Sequence, residues 1–306
     1  MREITAPLAA ASVVRPRASG SLRDYLAVTK PRHVIPSTLT AWIGMALALD
    51  RPLPAGLVVA TLAGTALAVA ASHVFNAVLD RDLDALMERT RDRPLPAGRI
   101  RVLHALAYAT GMAVAALAVV AWGANGLAAL LTLGGILFYA GVYTYWLKRR
   151  TPWNTLVGGV AGGIPPLIGW AAATGTLSWP AAVLFLIMVV WQPLHFFALS
   201  LLVADDYRRA GFPMVVAVQG EQATLNQIAV YSAVLLVLSV LLHLVGVAGA
   251  TYLAVALVLG AVYVGAALRA VRGGPEQARF WGRWLLRYAL VYLTVLLIVA
   301  VLDRTV

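Results

Sequence analysis

The chain has 306 residues, of which 61% are hydrophobic and 12% charged, with a formal net charge of +11 and no cysteine. A soluble domain is about half apolar and a quarter charged, so this composition, with a mean hydropathy of +0.82, excludes one and points to an integral membrane protein. The missing cysteines exclude disulfides and thiolate metal sites.

Residues 1–21, rich in Ala, Arg and Ser with a single acid, read as a flexible cytoplasmic tail, and an organellar transit peptide has a similar composition. Residues 22–306 read as one polytopic unit. Apolar runs fall at 33–50, 54–79, 103–121, 124–146, 154–174, 180–203, 226–247, 250–268 and 284–302. At ~1.5 Å per residue such runs cross a ~30 Å hydrocarbon core, and they far exceed the roughly 10-residue alternating segments of a barrel. The predicted fold is all-α, with nine transmembrane helices in a bundle, the first being the shortest.

If nine spans alternate, all 24 Lys and Arg except Arg51 and Arg304 lie in the tail or with the loops after spans 2, 4, 6 and 8. The positive-inside rule makes that side cytoplasmic and puts the C-terminus opposite. The positive charge therefore reflects topology, not nucleic-acid binding. A bacterial cell membrane is expected, with the mitochondrial inner membrane as the alternative.

Span 2 ends in Asn76-Ala-Val-Leu-Asp80-Arg-Asp82-Leu-Asp84. Spaced i, i+4, i+8, Asn76, Asp80 and Asp84 drift only about 40° per step and share a helix face, with successive Cα atoms roughly 6 Å apart. Such a ladder can hold divalent metal ions against a diphosphate. Asp82 points away, and Arg89 and Arg93 follow where they can neutralise phosphate oxygens. A solvated charged loop is the plainer reading, but it does not explain the spacing.

The stretch Tyr143 to Asn154 carries Lys148-Arg149-Arg150 and is followed by Gly158-Gly159, Gly162-Gly163 and Pro165-Pro166. The glycines allow close helix approach, and the paired prolines are expected to kink or break span 5. Span 6 contains Trp191-Gln-Pro193-Leu-His195-Phe196, and an ionisable group inside a span is a functional candidate. A satisfied structural histidine is the alternative, and His73, one turn before Asn76, competes for any histidine role. Span 6 ends in Asp205-Asp206-Tyr207-Arg208-Arg209. This acidic end recurs four spans after the first, suggesting two weak four-helix repeats plus one extra helix. Two acidic clusters facing one central cavity, open toward the cytoplasm, can hold two metal ions and a diphosphate. The other reading of Asp205 and Asp206 is an interfacial pair compensated by Arg208 and Arg209.

The string Asn76-x3-Asp80-x3-Asp84-x2-Met87-x-Arg89-Thr90-x2-Arg93-Pro94-Leu95 resembles the first signature of the UbiA-type intramembrane prenyltransferases, in the form of their heme-modifying branch. Thr29-Lys30-Pro31-Arg32, Tyr143-Thr144-x-Trp146-Leu147-Lys148-Arg149, Pro165-Pro166-Leu167-Ile168-Gly169-Trp170, Trp191-x-Pro193-x-His195-Phe196 and Asp205-Asp206-Tyr207 are similar to that family in the same order. Leu194 and Ala204 depart from its pattern.

The resemblance implies transfer of a farnesyl group from farnesyl diphosphate to a vinyl group of protoheme IX, with addition of water. It implies Mg²⁺ held by Asn76, Asp80 and Asp84, with Asp205 or Asp206 on the second cluster. Arg89, Arg93, Lys148 and Arg149 would complete the diphosphate site. His195 would act either as an axial ligand to the heme iron or as a base for the water. Membrane lipid and, on the basic face, a heme A synthase or oxidase-assembly factor are the expected partners. Three rivals remain open: prenylation of an aromatic quinone precursor, a membrane transporter, and a polar-alcohol phosphotransferase. A transporter usually gathers its polar groups near the bilayer midplane, whereas here they crowd one face.

Overall fold

The computed structural model describes residues 20–49 and 51–305, so the predicted tail lies, except for its last two residues, outside the described residues. There the chain opens in a short helix, Leu22–Val28. Ser21 and Asp24 cap it reciprocally, and Arg99 Nε donates to Asp24 Oδ1 at 2.9 Å, tying the helix to a distant loop.

Nine long helices follow: α1 Pro31–Ala48, α2 Ala55–Leu79, α3 Val102–Gly123, α4 Gly126–Leu137 continued by a π-helix Phe138–Leu147, α5 Asn154–Thr174, α6 Trp179–Leu202, α7 Gly220–Leu244, α8 Ala250–Gly273 and α9 Ala278–Leu302. Among the described residues, eight of these are long and apolar enough to cross a membrane. The exception is α1, whose 18 residues include Arg32, His33 and the internal Pro36. Helices α7 and α9 begin six residues before their apolar runs, because helical hydrogen bonding extends through polar first turns such as Gly220-Glu221-Gln222. Among the described residues there is no strand, only an isolated bridge between Ala248 and Arg304.

Successive helices pack on one another around the bundle, and it closes where α9 meets α6 and α1. Helices α5 and α6 are the most enclosed of the spans. Their contact depends on the glycine pairs: a Cβ on Gly159 would collide with the Val189 carbonyl, and one on Gly163 with the Phe185 ring. Of the kink or break expected from sequence, the break does not occur. The helix runs unbroken through Pro165 and Pro166, both buried, and the Pro166 carbonyl is pressed against Gly44 of α1. Close neighbouring backbone tolerates a proline in a membrane helix where an isolated helix would open.

Alternation brings the loops at 80–101, 148–153 and 203–219 and the α8–α9 turn to one end of the bundle. Lys148 there meets Asp80, Arg149 meets Asp82, Arg209 meets Glu88 and Arg279 meets Asp205. At the other end Asn125 Nδ2 donates to the Ala171 carbonyl at 2.8 Å, and Arg304 Nη1 to that of Ala46 at 3.0 Å.

Candidate active site

Helix α2 ends at Leu79, and Asp80 turns off it with φ −90° and ψ 0° before the one-turn helix Arg81–Asp84. The register nonetheless continues across the break, because Asp80 N donates to the Asn76 carbonyl at 2.9 Å and Asp84 N to that of Asp80 at 2.8 Å. The predicted ladder is therefore preserved, with Asn76, Asp80 and Asp84 all buried. Asp82 faces outward, where Arg149 clamps it with two hydrogen bonds of 2.7 and 2.9 Å. The guanidinium holds the Asp82 carboxyl below its usual pKa. Arg149 also donates to the Leu79 carbonyl, so here it caps the end of α2.

Cations fill the inner face of the ladder. Lys148 Nζ donates to Asp80 Oδ2 at 2.5 Å, Arg93 Nη1 to Asp84 Oδ2 at 2.9 Å, and Lys30 Nζ to Asn76 Oδ1 at 2.9 Å. Asn76 Nδ2 donates to Asp80 Oδ2 at 2.7 Å and to Thr144 Oγ1 at 3.2 Å. Two carboxylates thus face three cationic side chains, a surplus of positive charge that suits a polyanionic guest. Burial, with Arg93 and Lys148 nearby, pulls the Lys30 ammonium down to about 7, against the opposing pull of Asp84 and Asp80.

Lys30 and the π-helix were not given a role from sequence. Lys30 is the only non-glycine residue with positive φ, at 54°, among the described residues. Backbone held in so sparsely populated a region costs on the order of 1–3 kcal/mol and persists where the surroundings impose it. Here it aims the lysine at Asn76 from just before Pro31, which sets the start of α1. The π-helix brings Tyr139, Tyr143 and Thr144 toward α2. Tyr139 and Tyr143 have ring centroids 5.5 Å apart, and the Tyr139 hydroxyl lies 3.5 Å from His73 Nδ1. His73 in turn packs edge-on to His33 at 5.5 Å. Only the tyrosine at 139 followed by one at 143 could have hinted at this, since an i→i+5 turn leaves no compositional mark.

The second acidic cluster divides. Asp205 is exposed and paired with Arg208 at 3.2 Å and Arg279 at 2.9 Å. Asp206 is more enclosed, its side chain 14% exposed, and is bound by Arg209. The same arginine approaches Glu88 at 3.9 Å, and Met87 shares a hydrophobic cluster with Tyr207, Ala210 and Phe212. Both acidic segments therefore adjoin at one end of the bundle. Lys148 bridges them, its Nζ 4.9 Å from the Phe212 ring centroid. Among the described residues no three His, Cys, Asp or Glu side chains converge as a preformed metal cage. Asp80 Oδ1, however, is buried without a hydrogen-bond partner, an unsatisfied anionic oxygen of the kind a divalent cation would complete. Arg89 is exposed and makes no hydrogen bond or ion pair among the described residues.

Deeper in the bundle, His195 stacks on Trp191 with centroids 5.3 Å apart and planes inclined by 20°. Trp191 Nε1 donates to the Ala289 carbonyl at 2.7 Å, which locks the stack against α9. His195 Nδ1 is buried with no hydrogen-bond partner.

A family model described as the UbiA prenyltransferase family matches residues 37–286. The chain belongs to this family. It is 45% identical over 285 residues to a protein of Symbiobacterium thermophilum named protoheme IX farnesyltransferase, covering 93% of this chain and 95% of that one. A protein of the same name from Synechococcus elongatus is 48% identical, over 78% of this chain and 76% of the relative. Among solved structures, a digeranylgeranylglyceryl phosphate synthase superposes with a TM-score of 0.77 at 17% identity, covering 92% of this chain and 98% of that one. A UbiA homologue from Archaeoglobus fulgidus, bound to DMAPP and Mg²⁺, superposes with a TM-score of 0.66 at 16% identity, over 89% of this chain and 99% of that one. At those identities the likeness establishes the fold: an all-helical UbiA prenyltransferase bundle.

Proposed function

We propose that this chain transfers the farnesyl group of farnesyl diphosphate to a vinyl group of protoheme IX and adds water, giving a hydroxyethylfarnesyl porphyrin, heme O. The observation that carries this reading is the near full-length likeness to relatives named for that reaction. Two local features support it: a buried acidic ladder matched by excess cations, and a histidine with an unpartnered ring nitrogen set above it.

Asn76, Asp80 and Asp84, with Asp206 in preference to the outward-paired Asp205, would hold Mg²⁺. That ion would supply positive charge to the diphosphate as the allylic C–O bond breaks. Lys148, Arg93 and Lys30 are placed to exchange their present carboxylate and amide partners for phosphate oxygens, and Arg89 has no partner to give up. The allylic cation is attacked by the vinyl carbon, and water then captures the porphyrin-side cation and loses its proton. Enclosure by α5, α6 and the Tyr139–Tyr143 pair keeps water from quenching the first cation. His195 orients the porphyrin as an axial ligand to its iron.

The basic end faces the cytoplasm of a bacterial cell in this reading, and a heme A synthase or oxidase-assembly factor would take the product onward. The test is product analysis. Membranes from cells expressing the chain, supplied with protoheme and farnesyl diphosphate, should accumulate a porphyrin of higher mass and later retention. Consumption of farnesyl diphosphate onto an aromatic quinone precursor instead would overturn the assignment.

A further inference from the structure

Helix α9 carries Arg279, Arg283 and Arg287 at four-residue intervals, a stripe drifting about 40° per step. Arg279 Nη2 donates to Asp205 Oδ2 at 2.9 Å, which fixes the start of the stripe beside the second acidic segment. Arg283 and Arg287 are exposed and make no hydrogen bond or ion pair among the described residues. Helix α9 begins at Ala278 and its apolar run at residue 284, which sets Arg283 at the edge of that run and Arg287 roughly 5 Å inside it at ~1.5 Å per residue.

Two contacts fix the depth of these arginines against α6. The Ala289 carbonyl accepts from Trp191, and Gly282 abuts the Ala198 carbonyl and Leu201. The helices run antiparallel, so His195 lies level with residues 285–286, between Arg283 and Arg287. The flank is fixed as well. Tyr263 of α8 donates to the Leu285 carbonyl and Tyr288 to the Leu259 carbonyl, so one side of α9 faces α8. By helical phase Arg283 and Arg287 lie on the opposite side of the line of α6 contacts, toward α1, the other neighbour of α9.

We propose that Arg283 and Arg287 bind the two propionate carboxylates of the porphyrin while its ring lies against His195 and Trp191. This rests on the heme reading above and adds the subsite that orients the substrate. The propionates share one edge of protoheme and the vinyl groups lie away from it. Holding that edge at α9 turns the vinyl edge inward, toward the prenyl donor. Carboxylate pairing with arginine is charge-assisted and geometrically selective, and in a low-dielectric setting two such pairs discriminate strongly against a neutral ester.

The test compares protoheme with its dimethyl ester, binding followed by the Soret shift in nanodiscs. The wild type should prefer the diacid about tenfold or more. The Arg283→Gln/Arg287→Gln variant should bind both porphyrins equally, with farnesyl diphosphate affinity unchanged as evidence of an intact fold. Arg283→Lys/Arg287→Lys, which keeps the charge, should retain part of the preference. A glutamine variant that keeps the full preference overturns the proposal. Should anionic lipid then stabilise the wild type but not that variant, the arginines hold lipid phosphate instead. Wild type that binds neither porphyrin overturns the heme reading together with this one.

Discussion

Asp80 and Lys148 form the most enclosed ion pair of the site, at 2.5 Å, with side chains 2% and 18% exposed. Asp80→Asn leaves the ammonium without its countercharge at contact and removes a metal-facing oxygen. Removing one partner of a fully buried pair costs about 3–5 kcal/mol. The partial exposure of Lys148 and the remaining amide oxygen of asparagine reduce this to roughly 2 kcal/mol, within the range of couplings between touching residues. Lys148→Met alone should cost a similar amount by stranding the carboxylate. The Asp80→Asn/Lys148→Met double variant removes both charges together, so its thermal stability should recover most of that loss. Turnover should not recover, because an electrostatic stabiliser of the leaving group is worth about 10²–10³ in kcat. Thermal unfolding in nanodiscs gives the first quantity and single-turnover release of diphosphate the second. Simple addition of the two stability losses would refute the view that these charges compensate one another in the resting site, and wild-type turnover in the double variant would remove both residues from the chemistry.

Three further outcomes follow from the geometry. Chelation of divalent metal should abolish farnesyl transfer yet leave the porphyrin Soret shift intact, and persistent transfer in excess EDTA would show that the cations Lys30, Arg93 and Lys148 suffice without a metal. His195→Ala should weaken protoheme binding and alter its Soret band while farnesyl diphosphate affinity, measured by calorimetry, stays unchanged; unaltered heme affinity with lost turnover would make His195 the base for water addition. Gly169→Ala, whose new Cβ would strike the Ala41 carbonyl, should separate α1 from α5 and destabilise the fold by roughly 1–3 kcal/mol, seen as a lowered Tm with the ladder residues untouched.

Much of this architecture is legible in the residues themselves, for physical reasons. Lipid contact imposes long apolar runs, so the helices could be placed to within a few residues, apart from the polar first turns of α7 and α9. The ladder was readable because a four-residue interval of acids has few other causes, and hydrogen bonding carries that register through the break at Asp80. Its cationic lining was only half readable: Lys148 and Arg93 stood in charged stretches, whereas Lys30 depends on a left-handed backbone that no composition announces. Arg283 and Arg287 were hidden by the charge count that revealed the topology, since they add to the basic end whether they face water, lipid or a substrate. The paired prolines leave α5 unbroken, which α5 alone does not announce, because the Pro166 carbonyl packs on Gly44 across the interface.

The π-helix at Phe138–Leu147 has a longer reach than its ten residues suggest. In and just after it the helix answers to Asn76 and Asp80 through Thr144 and Lys148; before it, to α3 and α5. Because the wide turns separate the phases of these two halves, the outer half can drift in sequence to suit its neighbours without rotating the lysine away from its carboxylate. Removing one residue from the wide segment would do the reverse. With one residue fewer, the offset between the two halves would change, and Lys148 would lose its alignment with Asp80.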